Sequence, residues 1–394
     1  MIIAGLMSGT SADGLDVALV EFTPSEDRES GELLMRVLAS QEVPFDESLT
    51  RDILRLLEPR DVPLALVSRV DAALGQFSAT AVTELCAKNN LSCDLVVSHG
   101  QTVRHEIDSG TVTATLQLGQ PAWIAETVGA PVLSDVRARD VAAGGQGAPL
   151  ASLMDHLLVA KAEQPTALLN LGGIANITAV SPSGESVAFD TGPANALIDL
   201  MARRISRNSW ACDRDGILAA CGRTDPALLQ HLLEEPYYQQ PAPKSSGKEL
   251  FHADYLDEHL QTHPGVEALD VIATLTRLTA RTVAEACRAH GVCSVVASGG
   301  GTRNPTLMAA LREELGTSTP VRTTDEAFGL PEGAKEACLV ALIGWFSWHG
   351  LPATLPWATG ASRSTVAGRI SPGAGPLELP APRMYSPSSL RVIP

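Results

Sequence analysis

The chain has 394 residues, 45% hydrophobic and 19% charged, a length that fits two or three domains or two large lobes. With a mean hydropathy of +0.09, this composition excludes a disordered chain. A net charge of −16 argues against nucleic acid as the main partner, because a basic surface supplies most of that affinity.

Residues 2–7 predict a strand, Ser8 to Gly14 a turn, and residues 15–22 a second strand. The chain therefore opens on a β-hairpin whose tip is rich in Gly, Ser, Thr and Asp. The start has no basic segment and turns polar by Ser8, so it does not read as a signal peptide. A long helix is predicted over 63–88, where Leu66, Val70, Leu74, Phe77, Ala81 and Leu85 fall near a 3.6-residue period. Leu95 to Ser98 reads as a short buried strand delivering His99-Gly100-Gln101-Thr102. Residues 131–134 repeat the pattern and deliver Asp135-Val136-Arg137, with the loop 142–147 following.

The opening theme then returns. Residues 166–171 predict a strand, Gly172-Gly173 a turn and 174–180 a second strand, about 165 residues after the first hairpin. Residues 186–190 predict a strand ending on Asp190, and Thr191-Gly192-Pro193 a helix start, which suits proline. Residues 294–298 predict a strand, then Gly299-Gly300-Gly301, then a helix from Asn304-Pro305 to about Leu315. Residues 334–349 predict one more apolar helix. No apolar run approaches about 20 residues, so no membrane span is expected. Seven scattered cysteines without a C-x-x-C fit a reducing compartment, and a cytoplasmic protein is expected.

Three Gly-rich turns at strand ends carry the chemistry. The first tip, Gly9 to Gly14, offers backbone N–H groups, two hydroxyls and Asp13, which could hold Mg²⁺ through water. It is not a Walker A loop, because no Gly-Lys-Ser/Thr follows. Asp16 is expected to point inward from the second strand. Gly172 and Gly173 allow close approach of a ligand. Ser298 to Gly301 at a strand-to-helix junction is a nucleotide-binding layout, since the helix start favours anions. Asp190 reads either as a general base or as a helix N-cap. Together these features resemble the layout of the actin-like ATPase and sugar-kinase superfamily, which implies an α/β, two-lobed, ribonuclease-H-like fold with a central cleft.

Specific residues then resemble one family. Met7 through Asp16, His99-Gly100-Gln101-Thr102, Ser134 through Arg137 with Asp140, and Ala142 through Leu150 resemble the anhydro-N-acetylmuramic acid kinases. So do Asn170 through Asn176, Phe189 through Asn195, and Ser298 through Gly301 with Asn304-Pro305, in order from residue 1 to about 373. The resemblance implies a hydrolytic kinase that turns 1,6-anhydro-N-acetylmuramic acid, ATP and water into N-acetylmuramic acid 6-phosphate and ADP, in cell-wall recycling. It implies that Gly9, Thr10, Ser11, Ala12, Asp13, Gly14, Leu15 and Asp16 bind ATP and that Asp190 is the base. Gly172, Gly173, Asn176, Gly299, Gly300, Gly301 and Asn304 would complete the nucleotide site.

His99, Gln101, Arg137 and Asp140 are expected on the sugar side. Arg137 could pair with the lactyl carboxylate of the sugar, or with Asp140 or Glu336, itself a candidate contact. A homodimer is implied by the resemblance alone. Ser246 and Lys248 stand where the family usually has Thr and Arg. The expected division is 1–135 as lobe I, 136–335 as lobe II, 336–373 as a helix and extension packing back on lobe I, and 374–394 as an irregular tail. The alternatives are a kinase of another sugar and an ATP-driven protein of the same superfamily. A chaperone would need a peptide-binding domain, and a sugar-responsive regulator a basic helix-turn-helix segment.

Overall fold

A computed structural model of the chain describes residues 1–9, 12–27, 31–58, 60–108, 110–242, 244–246 and 250–394. Its strands are, in chain order, β1 (Ile2–Met7), β2 (Gly14–Pro24), β3 (Glu32–Pro44), β4 (Leu95–Ser98), β5 (Gln101–Asp108), β6 (Thr111–Leu118) and β7 (Val132–Ser134). There follow β8 (Thr166–Leu171), β9 (Ile174–Val180), β10 (Ser186–Pro193), β11 (Ser294–Ser298), β12 (Val321–Thr323), β13 (Arg369–Ser371) and β14 (Ser389–Val392). The chain divides into two compact units, Met1–Leu158 with Phe328–Pro394, and Val159–Ala327.

The first unit holds a seven-stranded sheet in the order β13-β7-β4-β1-β2-β3-β14. Both of its faces are buried, which is why β1 and β2 read as nearly continuous apolar runs. Alternate residues serve opposite cores. Ile3, Ala18, Val20 and Phe22 pack with the helix Lys335–Trp348, whereas Ala4, Leu6, Val17 and Leu19 pack with the helices Glu47–Leu57 and Leu64–Asn89. The second unit holds a five-stranded sheet in the order β10-β9-β8-β11-β12.

The same plan underlies both sheets. A three-stranded antiparallel meander (β1-β2-β3, β8-β9-β10) has its first strand joined by two parallel strands (β4 and β7, β11 and β12). This is the ribonuclease-H-like arrangement, present twice, and it realises the duplication suggested by the two hairpins. Among the described residues no helix is long and apolar enough to cross a membrane.

Two boundaries differ from expectation. Residues 136–158 and 328–335 belong with the first unit, because Val136, Leu150, Leu153, Met154, Leu157, Leu330 and Ala334 are buried in the same core as Ile3 and Leu133. The tail is also not irregular throughout. β14 pairs in parallel with β3 from Ser389↔Glu32 to Val392↔Met35, Leu390 is buried, and Arg391 Nε lies 2.9 Å from Glu32 Oε2. The strand covers an edge that would otherwise present unpaired backbone groups. Deleting residues 386–394 is therefore expected to lower the melting temperature by several degrees and to promote self-association. Thermal scans and light scattering check both effects.

Candidate active site

In the first unit, β1 and β2 deliver the first tip. Thr10 and Ser11 lie outside the described residues. Ala12 is fully buried in a left-handed conformation (φ 55°) and its N–H donates to Gly9 O at 3.3 Å. Asp13 is exposed, and its carbonyl accepts from Phe45 N–H at 2.9 Å, which fastens the tip to the end of β3. Gly14 is required there, since a Cβ would stand 2.9 Å from Val43 O. Leu15 is buried and belongs to the core below the tip, while Asp16 is half-buried. Ser8 was not anticipated. Its buried hydroxyl donates to Gln101 Oε1 at 2.5 Å and ties the tip to β5.

Gln101 is the first residue of β5, and it is 1% exposed. His99 is 2% exposed, with Nδ1 against Gly100 O at 2.7 Å and Nε2 accepting from Arg137 Nε at 2.9 Å. A ring that accepts at Nε2 is neutral and carries its proton on Nδ1. Burial, aided by the Arg137 charge, depresses its pKa to about 3. Arg137 also donates to Gly147 O at 2.6 Å. Burial lowers its pKa to about 10, opposed by the charge of Glu336.

Asp140, 1% exposed, accepts from Gly147 N–H and from Thr359 Oγ1, each at 2.8 Å. Both of its oxygens thus serve the 142–147 loop and the segment after the late helix, not Arg137. Glu336 is solvent-exposed on its helix, yet enough protein surrounds it to push its carboxyl upward, with Lys335 and Arg137 opposing.

His99 makes stability depend on pH. Its folded pKa lies below the unfolded value near 6.5, so the unfolded chain binds the extra proton between about 6.5 and 3. The contribution is complete above pH 6.5 and declines as pH falls, by roughly 2 kcal/mol at pH 5. In urea unfolding at pH 7.5 and pH 5, His99→Gln is expected to remove that part of the loss.

In the second unit, β8 and β9 carry the tip Gly172-Gly173. The start of the helix Asn195–Ile205 takes up its carbonyls. Asn195 Nδ2 donates to Leu171 O (2.9 Å) and Gly172 O (2.8 Å), and the N–H groups of Ala194 and Ala196 donate to Gly173 O. Asn176 is half-buried on β9, opposite Asn170. The third turn packs against this hairpin. Gly299 (φ 86°) leaves no room for a Cβ beside Asn170 Oδ1, and a Cβ on Gly301 would stand 2.6 Å from that of Leu171. Asn304 caps the helix Pro305–Leu315 by accepting from Leu307 N–H at 3.0 Å, as predicted.

Gly300 and Asn304 open onto a cavity of about 430 Å³, also lined by Asn195, Asp199, Arg214 and Arg303. A larger groove of about 790 Å³ beside Asp52, Arg69 and Phe77 contains none of the anticipated site residues.

Asp190 does not begin a helix. β10 runs on to Pro193, with a bulge between Asp190 and Gly192, and the following helix starts at Asn195 with Ala194 before it. β10 is an edge strand, which accommodates both bulge and proline. The N-cap reading thereby falls. Asp190 is half-buried, and its Oδ2 accepts from Ser246 N–H at 2.8 Å. Because the donor is backbone, Ser or Thr at 246 serves equally. Lys248 lies outside the described residues.

The family model for anhydro-N-acetylmuramic acid kinase matches residues 1–373. The chain belongs to this family. It is 49% identical over 397 residues to an anhydro-N-acetylmuramic acid kinase of Streptomyces coelicolor, covering 100% of this chain and 99% of that protein. It is 43% identical over 403 residues to one from Rhodococcus erythropolis, again covering 100% and 99%. In this family member the Ser246 N–H donates to Asp190 Oδ2.

Proposed function

We propose that the enzyme converts 1,6-anhydro-N-acetylmuramic acid, ATP and water into N-acetylmuramic acid 6-phosphate and ADP, with Asp190 as the base. The observation that carries this is the Asp190 carboxylate, half-buried at a strand bulge and accepting from the backbone N–H of Ser246. Asp190 takes a proton from water as the water oxygen bonds to the anomeric carbon. The bond from that carbon to the 6-oxygen breaks, and the freed oxygen attacks the γ-phosphorus of ATP. The bond to the β,γ-bridging oxygen breaks and ADP leaves. The anhydro sugar has no free 6-hydroxyl, so ring opening is what supplies the nucleophile in place.

On this reading the first tip, the Gly172-Gly173 tip and the 299–301 turn bind ATP, with the adenosine in the cavity beside Gly300 and Asn304. Among the described residues no three His, Cys, Asp or Glu side chains form a metal cage. Mg²⁺ held on nucleotide phosphates needs only one or two carboxylates, and Asp13 and Asp16 at the first tip fit that donor set. Bound there, Mg²⁺ would neutralise phosphate charge.

Arg137 and Glu336 meet the sugar, with Arg137 on its lactyl carboxylate. His99, Gln101 and Asp140 stand behind as supports that hold Arg137, the first tip and the 142–147 loop. A cytoplasmic homodimer completes the proposal. Seven free thiols suit a reducing compartment, and sedimentation would test the assembly.

The deciding experiment is turnover in ¹⁸O-water with Mg-ATP and the anhydro sugar, read by mass spectrometry. Label at the anomeric carbon of the phosphorylated product supports the reaction. Unlabelled product, or equal phosphorylation of N-acetylglucosamine, overturns it.

A further inference from the structure

Asp190 lies on the open edge of β10, and one segment of the second unit closes that edge at this residue. Asp190 N–H donates to Lys244 O at 3.0 Å, Tyr237 Oη donates to Asp190 O at 2.8 Å, and Ser246 N–H donates to the carboxylate at 2.8 Å. These three groups lie within residues 237–246. Beyond the short turn Pro236–Gln239, no helix or strand stiffens the described part of this segment. Tyr237 and Tyr238 pack against Phe251 at its start, and the far end needs a tie of its own.

Lys244 Nζ donates to Tyr237 O and Tyr238 O, each at 3.0 Å, and stands 4.7 Å from the centre of the Tyr237 ring. One ammonium thus joins the two ends of the segment. It binds carbonyls that a neutral side chain of the same length could not bind. The Tyr237 phenol is raised to about 12, mainly by burial, so it remains a donor to Asp190 at neutral pH.

We infer that Lys244 is a positioning residue for Asp190: its ammonium locks the segment that aims the carboxylate and supplies its backbone donor. The inference rests on the proposed role of Asp190 as base. Without the lock, the Ser246 N–H swings away. The carboxylate then loses aim and also loses a hydrogen bond that favours its charged form, so it holds a proton more tightly.

The test compares the parent with Lys244→Met, Lys244→Arg, Tyr237→Phe and Asp190→Asn, all as full chains, with Mg-ATP and the anhydro sugar. For Lys244→Met we expect kcat to fall about 10- to 100-fold, with ADP affinity by calorimetry unchanged. We also expect the acid limb of the kcat–pH profile to move to higher pH. Lys244→Arg should recover part of both effects. A parental kcat and pH limb in Lys244→Met overturns the inference, as does a loss of kcat with an unmoved limb.

If Lys244→Met fails to fold, Tyr237→Phe decides. It removes only the hydroxyl donor and should shift the limb in the same direction; an unmoved limb overturns the inference. Asp190→Asn separates the two layers. If it stays active, the base reading fails and the Lys244 role falls with it. If it is inactive while Lys244→Met behaves as the parent, only the Lys244 role is lost.

Discussion

Asp190→Asn is expected to lower kcat about 10²- to 10⁴-fold, the range for loss of a general base, while the protein still folds and binds ADP. The substitution is nearly isosteric, and an amide oxygen can still accept the Ser246 N–H that orients the side chain. The β10 register, with Asp190 opposite Asn176 on β9, is a backbone property and stays. The substitution thus removes proton acceptance, together with the negative charge, while keeping the fold. The loss should fall on kcat rather than on KM for ATP, as it does when an interaction is made only in the transition state. A stopped assay of ADP formation, with calorimetric titration of ADP, separates the two. Turnover near the parental level would assign the base elsewhere, and Glu336, whose carboxyl is pushed upward, would be the next group to replace.

The hairpins and Gly turns were legible because their signals are local. A glycine pair between alternating apolar runs, or Asn-Pro before a helix, needs no distant partner to be read. The run 186–193 was harder. Gly192-Pro193 reads as a helix start, but pairing with β9 on one side, and the 237–246 segment on the other, extends the strand past Asp190. Tertiary pairing thus overrode a local stop signal.

The supports of the site were the least legible. Ser8 bonds Gln101 across 93 positions and Asp140 meets Thr359 across 219, and neither spacing carries a pattern. His99 and Arg137 were singled out as possible ligand contacts. Their mutual hydrogen bond, which makes the histidine a neutral acceptor, is visible only in three dimensions. In sequence Ser246, with Lys248, reads as a departure from the family. Its contact with Asp190 runs through backbone, where side-chain identity carries no signal.

The same limit applies to the fold, and Gly5 shows how large the hidden effect can be. In sequence it is one small residue inside a strand, where glycine ordinarily weakens packing. In the structure, β1 lies against the helix Lys335–Trp348 with no gap at this position. A Cβ on Gly5 would overlap the carbonyl of Ala337 and stand 2.9 Å from Ala341 N. These are backbone atoms of a helix whose residues Ala337 to Ser347 are all buried, so no flexible side chain can yield. Gly5→Ala is therefore expected to cost at least about 3 kcal/mol, at or beyond the upper end of ordinary overpacking. Gly265→Ala, where an added Cβ meets nothing within 4 Å, should stay within about 0.5 kcal/mol. Urea unfolding of the two variants against the parent checks the contrast. The strain reaches function as well, since β1 carries the first tip and the displaced turn of helix begins beside Glu336. Gly5→Ala protein that does fold should therefore turn over more slowly than the parent. A stable, fully active Gly5→Ala enzyme would mean that helix and strand are not in the close contact described.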